Sequence, residues 1–519
     1  MSAPQTSFIT MTPAPQTLWH NEHRKFLLLL GAVILFRVVL ALLLPITGDE
    51  AYFVVWAKQL AGGYYDHPPA VSWLIAPFWN LFGNNALAVR LSSIALVPIA
   101  MILAYDLMLR LGLDVRRAYM ATLIVALQPL LWLSFLITTD TPLYLSGIFF
   151  VYCVVRYIHT PGPMLLLGAV AAMMVAVQSK YFFVFLCLSY FVATVLVNKR
   201  HVWQLFAAVT AGAVVSGALH LWWNAEHCYP TILFNFINRQ QVNDHWPDTM
   251  ISFWLMFLWI AIPLLHRSTL ALFRASDVTP QVRVASRTLL VFWLLPFAAF
   301  LLIAIGRLVG LHYIVPLVLC FFLWLGVRAS DKVLGSVLKL SIWSSAVHLA
   351  CIVALVLLPF SFWESNRFYR GIVTHFKTAE ILKQFDQGDA VVAAVNYSIG
   401  AVLEFHDAER RPWSVWGGGS FQGRQDDFVT DWSVYRGRDF QVFSYEPMAQ
   451  HDFARYFAAS SEHPFQVAGV TFYRWQGKGF DYELYRTEVL LPNLLKNYRR
   501  PAWLKSLACP LETRYQVAF

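Results

Sequence analysis

Charged residues are scarce in this chain, and their scarcity excludes an ordinary water-soluble protein. Only 13% of the 519 residues are Asp, Glu, Lys or Arg, whereas 58% are hydrophobic. A soluble domain carries about 25% charged residues, because its surface must face water. Such a surface cannot be built from this composition, so the sequence predicts a protein whose exterior largely faces lipid.

Motifs for zinc, nucleotides and nucleic acids are missing as well. The six cysteines form no Cys-x-x-Cys pair, so a structural zinc site has no basis in the sequence. The Gly-rich phosphate turn of a soluble nucleotide-binding domain is also absent from the sequence. The formal net charge is +9, but the basic residues form short clusters between apolar runs, such as Lys199-Arg200-His201. Clusters of this kind orient helices in a bilayer, so we expect no nucleic-acid partner.

Long apolar runs, by contrast, fill the first two thirds of the chain. A membrane helix needs about 20 apolar residues, and the first run has no signal-peptide cleavage site, so it should remain as a helix. The sequence predicts an α-helical polytopic membrane protein, with a leader at 1–25 and a transmembrane domain at 26–360. About eleven helices are expected, at 26–45, 87–109, 118–137, 141–158, 163–178, 181–197, 203–221, 250–265, 288–305, 311–327 and 340–360.

The distribution of basic residues predicts how these helices are oriented. With the N-terminus in the cytoplasm, the inside loops hold most of the Arg and Lys residues, including Arg116, Arg117 and Arg328. This bias is the one that orients membrane proteins, whose positive loops face the cytoplasm. The leader would then be cytoplasmic, and an odd number of helices would place everything after about residue 361 on the outer side.

The segment 361–519 has a different composition and is expected to form a separate domain. Strand-like runs at 390–395, 440–444, 465–474 and 482–485 alternate with helical stretches. About 160 residues can bury a core of their own, which predicts a small α/β domain on the outer side. Cys228 and Cys509 both lie outside the apolar runs on that oxidising side, so they either form a disulfide or remain two free thiols.

Ionisable residues in the outer turns are candidates for function, because a charge at membrane depth is costly. Carboxylates can act as a general base, and Lys or Arg can neutralise a phosphate. Each residue also has a structural interpretation. Asp49-Glu50 and Asp140 could begin helices, and Lys180 and Arg307 could extend to the membrane interface. The histidines could simply pack against neighbouring side chains. A metal is not required, although His67, His220 and His227 could hold a divalent ion together with a carboxylate.

The acidic pair Asp49-Glu50 of the first outer loop, Asp140 of the second outer turn and Lys180 of the third follow in this order on one side of the membrane. Their order and common side resemble the membrane C-type glycosyltransferases that use lipid-linked donors. More narrowly, the pattern is similar to glycosyltransferase family 39, which includes protein O-mannosyltransferases and the aminoarabinose transferases that modify lipid A. The sequence departs from the aminoarabinose transferases at Asp66-His67, where an acidic residue followed by Lys is expected. The resemblance depends on Gly48-Asp49-Glu50-Ala51-Tyr52, Tyr65-Asp66-His67-Pro68-Pro69, Thr139-Asp140-Thr141-Pro142, Ser179-Lys180-Tyr181, Asn224-Ala225-Glu226-His227 and His312-Tyr313-Ile314-Val315-Pro316. In the segment 361–519, Asn396-Tyr397-Ser398 and Ala401-Val402-Leu403-Glu404-Phe405 also look like the outer domain of the family.

This resemblance implies an inverting transfer of a sugar from a polyprenyl-phosphate donor at the periplasmic face of a bacterial inner membrane. The acceptor would be lipid A, another glycolipid or a protein, and no cofactor would be needed. The first outer loop, 46–86, would carry the catalytic Asp49 and Glu50, with Asp140 as a second acidic position. Lys180 and Arg307 would bind the donor phosphate. The residues expected to contact substrates are Tyr52, Tyr65, Asp66, His67, Glu226, His227, His312 and Tyr313.

Two other functions are compatible with many apolar helices. A transporter or flippase for a lipid-linked sugar would also contain buried charges, but it would not need acids and bases gathered on one side or an outer domain of this size. Transporters also tend to contain inverted repeats, and no internal repeat is found in the sequence. The other alternative is an inactive scaffold that presents the outer domain, in which case replacement of Asp49 would have no effect.

Overall fold

A computed structural model describes residues 16–238, 245–260, 279–385, 388–408, 411–417 and 424–519. The predicted leader 1–25 and the end of the predicted span 250–265 therefore lie partly outside the described residues. Within them, the chain folds into a bundle of apolar helices followed by a part that contains a β-sheet. This arrangement confirms the predicted fold class.

The membrane part consists mainly of long apolar helices. Six described helices are long and apolar enough to cross a bilayer, namely α1, α4, α7, α10, α12 and α14. Each of the eleven predicted spans overlaps one of the helices of this part. The bounds are α1 Gln16–Leu43, α2 Gly48–Lys58, α3 Ala70–Phe82, α4 Ala86–Arg110, α5 Val115–Ala126, α6 Pro129–Leu133, α7 Asp140–His159, α8 Pro163–Val177, α9 Phe183–Val197, α10 Arg200–Glu226, α11 Trp246–Ile260, α12 Pro280–Ile303, α13 Leu311–Arg328 and α14 Asp331–Leu357.

The predicted span 118–137 is not one continuous helix. The helix α5 ends at Ala126, and a second short helix, α6, begins with Pro129. Proline lacks a backbone N–H and restricts the residue before it to extended conformations, so it ends one helix and begins another. The residues after α6 lead directly to Asp140, the first residue of α7.

Two of the helices, α2 and α3, lie in the predicted first outer loop, 46–86. Their buried apolar residues, including Val54, Trp56 and Ile75, pack together in one cluster. The segment 361–519 is called the outer part, after its predicted position. Its residues Ala401 and Phe405 belong to the same cluster. The loop is therefore an ordered structural element that lies between the membrane helices and the outer part.

The outer part is organised around a mixed five-stranded sheet with strand order β2-β1-β3-β5-β4. β1 pairs in parallel with both β2 and β3, whereas β5 pairs antiparallel with β3 and β4. The strands are β1 Val391–Ala394, β2 Ser414–Val415, β3 Phe440–Ser444, β4 Phe457–Val467 and β5 Val470–Phe480. The helices are α15 Tyr369–Phe376, α16 Thr378–Leu382, α17 Tyr397–His406, α18 Asp426–Val429, α19 Tyr482–Tyr485, α20 Leu491–Tyr498 and α21 Pro510–Tyr515.

Two of the strand predictions for the outer part were wrong. The predicted strand 465–474 contains a tight turn at Ala468 and Gly469, both with positive φ, so these residues belong to two antiparallel strands. The predicted strand 482–485 is helical, because the Asp481 side chain accepts a hydrogen bond from the backbone N–H of Leu484 at 3.0 Å and caps a helix. The predictions at 390–395 and 440–444 coincide with β1 and β3.

A disulfide between Cys228 and Cys509 joins the membrane part to the end of the chain. Of the two alternatives that the sequence left open for these cysteines, the structure shows the pairing. Both residues lie in an apolar cluster that also contains Tyr65 of the first outer loop and Phe234. The outer part is thus attached by a covalent bond to the segment that follows α10, and by apolar packing to the first outer loop.

Candidate functional site

The first group of predicted residues begins at the N-terminus of α2. Thr47 accepts a hydrogen bond from the Glu50 backbone N–H, and the Glu50 carboxylate accepts one from the Thr47 backbone N–H at 3.0 Å. This reciprocal capping box fixes where the helix starts. Gly48 is needed for close contact with the outer part, because a Cβ there would lie 1.7 Å from the Ser398 hydroxyl oxygen.

Glu50 is completely buried and bound to Arg90 of α4. The guanidinium donates from Nε to Oε1 at 2.8 Å and from Nη2 to Oε2 at 2.6 Å, which is a two-point ion pair. The remaining N–H groups of Arg90 bind the backbone carbonyls of Ala41, Leu44 and Pro45. Arg90 therefore joins the end of α1 to the start of α2, and the Glu50 carboxylate is already occupied by protein groups.

Asp49, in contrast, has an exposed side chain, although it is next to Glu50 in the sequence. The protein around it raises the pKa of its carboxyl group, and the charge of Glu50 raises this pKa further. Burial raises the pKa of Tyr397, the first residue of α17, to about 12, and the charge of Asp49 contributes to this increase. A carboxylate that is accessible and has a raised pKa is suited to accept a proton.

Asp66 belongs to the same group as Asp49. Burial raises the pKa of Tyr52, and the charge of Asp66 raises it further. The rings of Tyr52 and Tyr397 lie 4.8 Å apart between centroids. The first group therefore consists of Asp49, Tyr52, Asp66 and Tyr397, and it combines two acids with two phenols.

The second group is a buried ion pair between Asp140 and Lys180. The Lys180 ammonium lies 2.8 and 2.9 Å from the two carboxylate oxygens of Asp140. The same ammonium lies 4.4 Å from the ring centroid of Tyr313, which is a cation–π contact. Thus three of the predicted residues, which come from different parts of the sequence, meet in one place.

An apolar cavity of about 50 Å³ begins at this ion pair. Asp140 and Tyr313 line one part of it, and aliphatic and aromatic side chains of α7, α9, α12 and α13 line the rest, including Ile148, Phe185 and Phe292. Gly147 also lines the cavity, and a Cβ added there would meet no atom within 4 Å. A charged pair at one end of an apolar cavity matches the junction between an anionic group and a hydrocarbon chain.

The third group surrounds the end of α10. The His220 Nε2 atom lies 2.9 Å from the Tyr181 hydroxyl and 3.2 Å from Asn224 Nδ2. The His227 ring is stacked on Trp223 at 4.4 Å, and its Nδ1 atom lies 2.8 Å from the Trp223 carbonyl. Trp223 also packs against Gly63, where a Cβ would lie 2.4 Å from the indole ring. These contacts hold the first outer loop against α10.

The structure places the remaining predicted residues separately. Tyr65 is buried against Phe234 and Tyr498, with ring centroids 5.3 and 5.8 Å apart. His67, Glu226 and Arg307 are half-buried, and the His67 ring lies 6.4 Å from that of Trp56. The side chain of His312 lies outside the described residues. Their predicted contacts with substrates stay predictions.

Three residues of the site were missed by the sequence reasoning. Arg90 lies inside a predicted membrane span, and a charge at that depth is itself a signal of function. Tyr397 was noted only as part of the resemblance of the segment 361–519, and Gln425 was not noted, because both come from the distant outer part. The backbone N–H of Gln425 donates to the Tyr52 hydroxyl at 2.8 Å, and its side-chain oxygen accepts from the Tyr65 N–H at 2.9 Å.

Within the described residues, no group of three or more His, Cys, Asp and Glu side chains is arranged to hold a metal ion. His220 and His227, which were considered as ligands together with His67, contact Tyr181 and Trp223 instead. The residues present therefore offer no ready set of ligands for the divalent ion considered from the sequence.

Comparisons with known proteins agree with the resemblance seen in the sequence. A family model described as dolichyl-phosphate-mannose-protein mannosyltransferase matches residues 66–223, which is less than half of the chain. The matched segment contains Asp66, His67, Asp140 and Lys180. No curated protein matches the sequence significantly.

The fold is similar to that of ArnT from Cupriavidus metallidurans. The crystal structure of ArnT in the apo state matches with a TM-score of 0.63 at 14% identity, over 87% of this chain and 98% of that one. The structure of ArnT bound to undecaprenyl phosphate matches with a TM-score of 0.58 at 15% identity, over the same shares of the two chains, 87% and 98%. The likeness covers both the membrane helices and most of the outer part, and it confirms the predicted C-type glycosyltransferase fold.

Proposed function

We propose that this protein is a glycosyltransferase that moves a sugar from a polyprenyl-phosphate donor to an acceptor in the cell envelope. The reaction would take place at the periplasmic face of a bacterial inner membrane, with the N-terminus in the cytoplasm and residues 361–519 in the periplasm. The family match to mannosyltransferases and the fold of ArnT, which binds undecaprenyl phosphate, both support this proposal.

The observation that carries the proposal is the Asp140–Lys180 pair at the end of the apolar cavity. A polyprenyl phosphate needs an apolar surface for its chain and a cation for its phosphate. The lining of α7, α9, α12 and α13 supplies the first, and Lys180 supplies the second. Asp140 neutralises Lys180 while the site is empty, so the donor phosphate would compete with this carboxylate for the ammonium.

The transfer itself requires one bond to form and one to break. The acceptor oxygen attacks the anomeric carbon from the face opposite the phosphate, and the bond from that carbon to the phosphate oxygen breaks. The leaving polyprenyl phosphate keeps the electron pair, and Lys180 stabilises its charge. Asp49 accepts the proton of the acceptor hydroxyl, and the product has the inverted configuration at the anomeric carbon.

The roles of the other acids follow from their surroundings. Glu50 is bound on both oxygens by Arg90, so in this proposal it holds α2 in place and does not exchange protons. Asp66 and Tyr52 belong to the first group together with Asp49 and would contact the sugar. If the acceptor is a phosphate, as on lipid A, it is already ionised, and Asp49 would then only orient it.

The proposal is tested by transfer of radiolabel from purified polyprenyl-phosphate sugars to a cell-envelope fraction. The wild type would be compared with Asp49→Asn, Lys180→Met and the control Asp248→Asn, which changes an exposed acid near the start of α11. We expect Asp49→Asn to reduce transfer by about 100-fold or more if it is a general base, and the control to behave as the wild type.

Donor and acceptor can be identified in the same assay. Donors that carry different hexoses and pentoses are offered in turn, and extraction of the product shows whether lipid or protein received the label. Normal turnover in Asp49→Asn would remove its proposed role. Movement of labelled lipid across reconstituted vesicles without any transfer would favour the transporter over the enzyme.

A further inference from the structure

A second cleft lies in the outer part, away from the groups described above. It has a volume of about 370 Å³, which is in the range of small-molecule sites, roughly 300–1000 Å³. Its lining comes from the segments that follow β1, β2 and β3, and from residues 451–456 and 485–489. No residue of the Asp49 or Asp140 groups lines this cleft.

The position of the cleft in the sheet is one where ligands bind in many α/β proteins. β1 lies between β2 and β3 and is parallel to both; the chain goes from β1 to β2 on one side and then returns to β3 on the other, so the strand order reverses at β1. Ligands bind outside the carboxyl ends of parallel strands at such a point, where the diverging connections leave a crevice. Asn396, Trp416 and Tyr445 each follow the last residue of one of these strands by one or two positions, and each lines the cleft.

The chemistry of the lining narrows the class of ligand. Aromatic side chains form much of the wall, including Trp416, Tyr456 and Tyr485, which are almost completely buried. Glu446 and Asp452 are exposed at the edge, and no Lys or Arg occurs among the described residues of the lining. Acidic groups without cations disfavour a phosphate or carboxylate ligand. Aromatic side chains combined with carboxylates suit a ring with many hydroxyls, or one that carries an amine.

Several polar groups of the cleft are not used by the protein. The Trp416 indole N–H and the Asp452 carboxylate form no hydrogen bond with other described residues. The Asn396 oxygen caps α17 by accepting from the N–H groups of Ser398 and Ile399, which leaves its amide N–H₂ for a ligand. The Glu446 carboxylate lies 3.1 Å from His451. Donors and acceptors are therefore both available around an aromatic wall.

We propose that this cleft binds a neutral or amine-bearing saccharide. The aromatic wall would pack against the C–H face of the sugar, while Asp452, Glu446 and Asn396 would bind its hydroxyl or amino groups. Asn396 precedes Tyr397, which contacts the Asp49 group, so the edge of the cleft adjoins the proposed catalytic centre. A role for the cleft in holding the glycan of the acceptor rests on the proposed transfer, whereas saccharide binding itself does not.

Binding is tested with the full-length protein in detergent by saturation-transfer-difference NMR. The probes are cellobiose, the disaccharide of glucosamine, and glucose 1-phosphate. We expect saturation transfer to the first two probes and little to the third. Because a hydrogen bond to a charged group is strong, Asp452→Asn and Glu446→Gln should each weaken binding by about tenfold or more.

The matched control is Asp389→Asn, which removes an exposed carboxylate just before β1, at the opposite end of the same strand. It should bind as the wild type does, and so should Asp49→Asn. The absence of saturation transfer to both cellobiose and the glucosamine disaccharide would overturn the proposal, as would unchanged binding in the double variant of Asp452 and Glu446. Preference for glucose 1-phosphate would also overturn it.

The link to catalysis has a separate readout. If the cleft holds the acceptor glycan, Asp452→Asn should raise KM for the acceptor while kcat and the KM for the lipid donor stay unchanged. Loss of saccharide binding without any change in KM would show that the cleft binds saccharide but does not serve transfer. Failure of transfer in the wild type would leave the binding result intact, so the two proposals can fail independently.

Discussion

Replacement of Glu50 by Gln should damage the fold, even though Glu50 lies beside the proposed catalytic base. The carboxylate accepts both ends of the Arg90 fork, the backbone N–H and hydroxyl of Thr47, and the backbone N–H of Ile137 at 3.1 Å. A glutamine offers only one oxygen for these donors. Its amide N–H₂ would also face the guanidinium of Arg90, which cannot accept a hydrogen bond.

The expected magnitude follows from the burial of the pair, since the side chains of Arg90 and Glu50 are 0% and 1% exposed. Removing one partner of a buried ion pair costs about 3–5 kcal/mol, because the other charge is left buried without compensation. Asp49→Asn should not have this effect, because its raised pKa means that the folded state already disfavours its charge at neutral pH.

The assay compares the apparent melting temperatures of the wild type, Glu50→Gln and Asp49→Asn in the same detergent. We expect a large decrease in melting temperature for Glu50→Gln and none for Asp49→Asn. Sugar transfer per folded molecule should show the opposite order, with the larger loss in Asp49→Asn. Arg90→Gln should resemble Glu50→Gln, and the double variant should be less unstable than the sum of the two. A melting temperature for Glu50→Gln equal to that of the wild type would refute the structural role of the pair.

Gly147→Leu should fill the apolar cavity and raise KM for the lipid donor several-fold without unfolding the protein, as measured by transfer kinetics and melting temperature. Cys228→Ser should make the end of the chain more sensitive to protease, since a native disulfide contributes about 2–5 kcal/mol, and Cys509→Ser should behave identically. Burial raises the pKa of Asp426 from 3.8 to about 6, so stability should fall as pH rises through this interval. Denaturation of Asp426→Asn should lack this decrease.

The membrane helices could be predicted well because the solvent imposes them. Backbone groups in lipid must be paired within the chain, so a run of about 20 apolar residues has few alternatives to a helix. The break at Pro129 and the helices within 46–86 were harder, because they depend on one residue or on packing against neighbours. The outer part shows the same limit, since 465–474 was predicted as one strand although a turn at Ala468 and Gly469 divides it.

The candidate site could be predicted only where the sequence itself carries the signal. Asp140 and Lys180 were noticed as charges at membrane depth, and the structure shows that they form a pair. Nothing in the sequence showed that Asp49 and Glu50 differ, because their difference is set by Arg90, 40 residues away. The contribution of Tyr397 and Gln425 depends on how the outer part packs on the first loop, which local patterns do not reveal.

The proposed base is held in place from two sides, and this bears on how the site would work. On the membrane side, the Glu50–Arg90 pair ties α2 to the end of α1. On the outer side, Gly48 allows Ser398 to approach α2, and Gln425 bonds to Tyr52. A charge-stabilising site works best when its groups need no rearrangement during the reaction. Because contacts on both sides are needed to fix Asp49, the outer part would be a component of the catalytic centre.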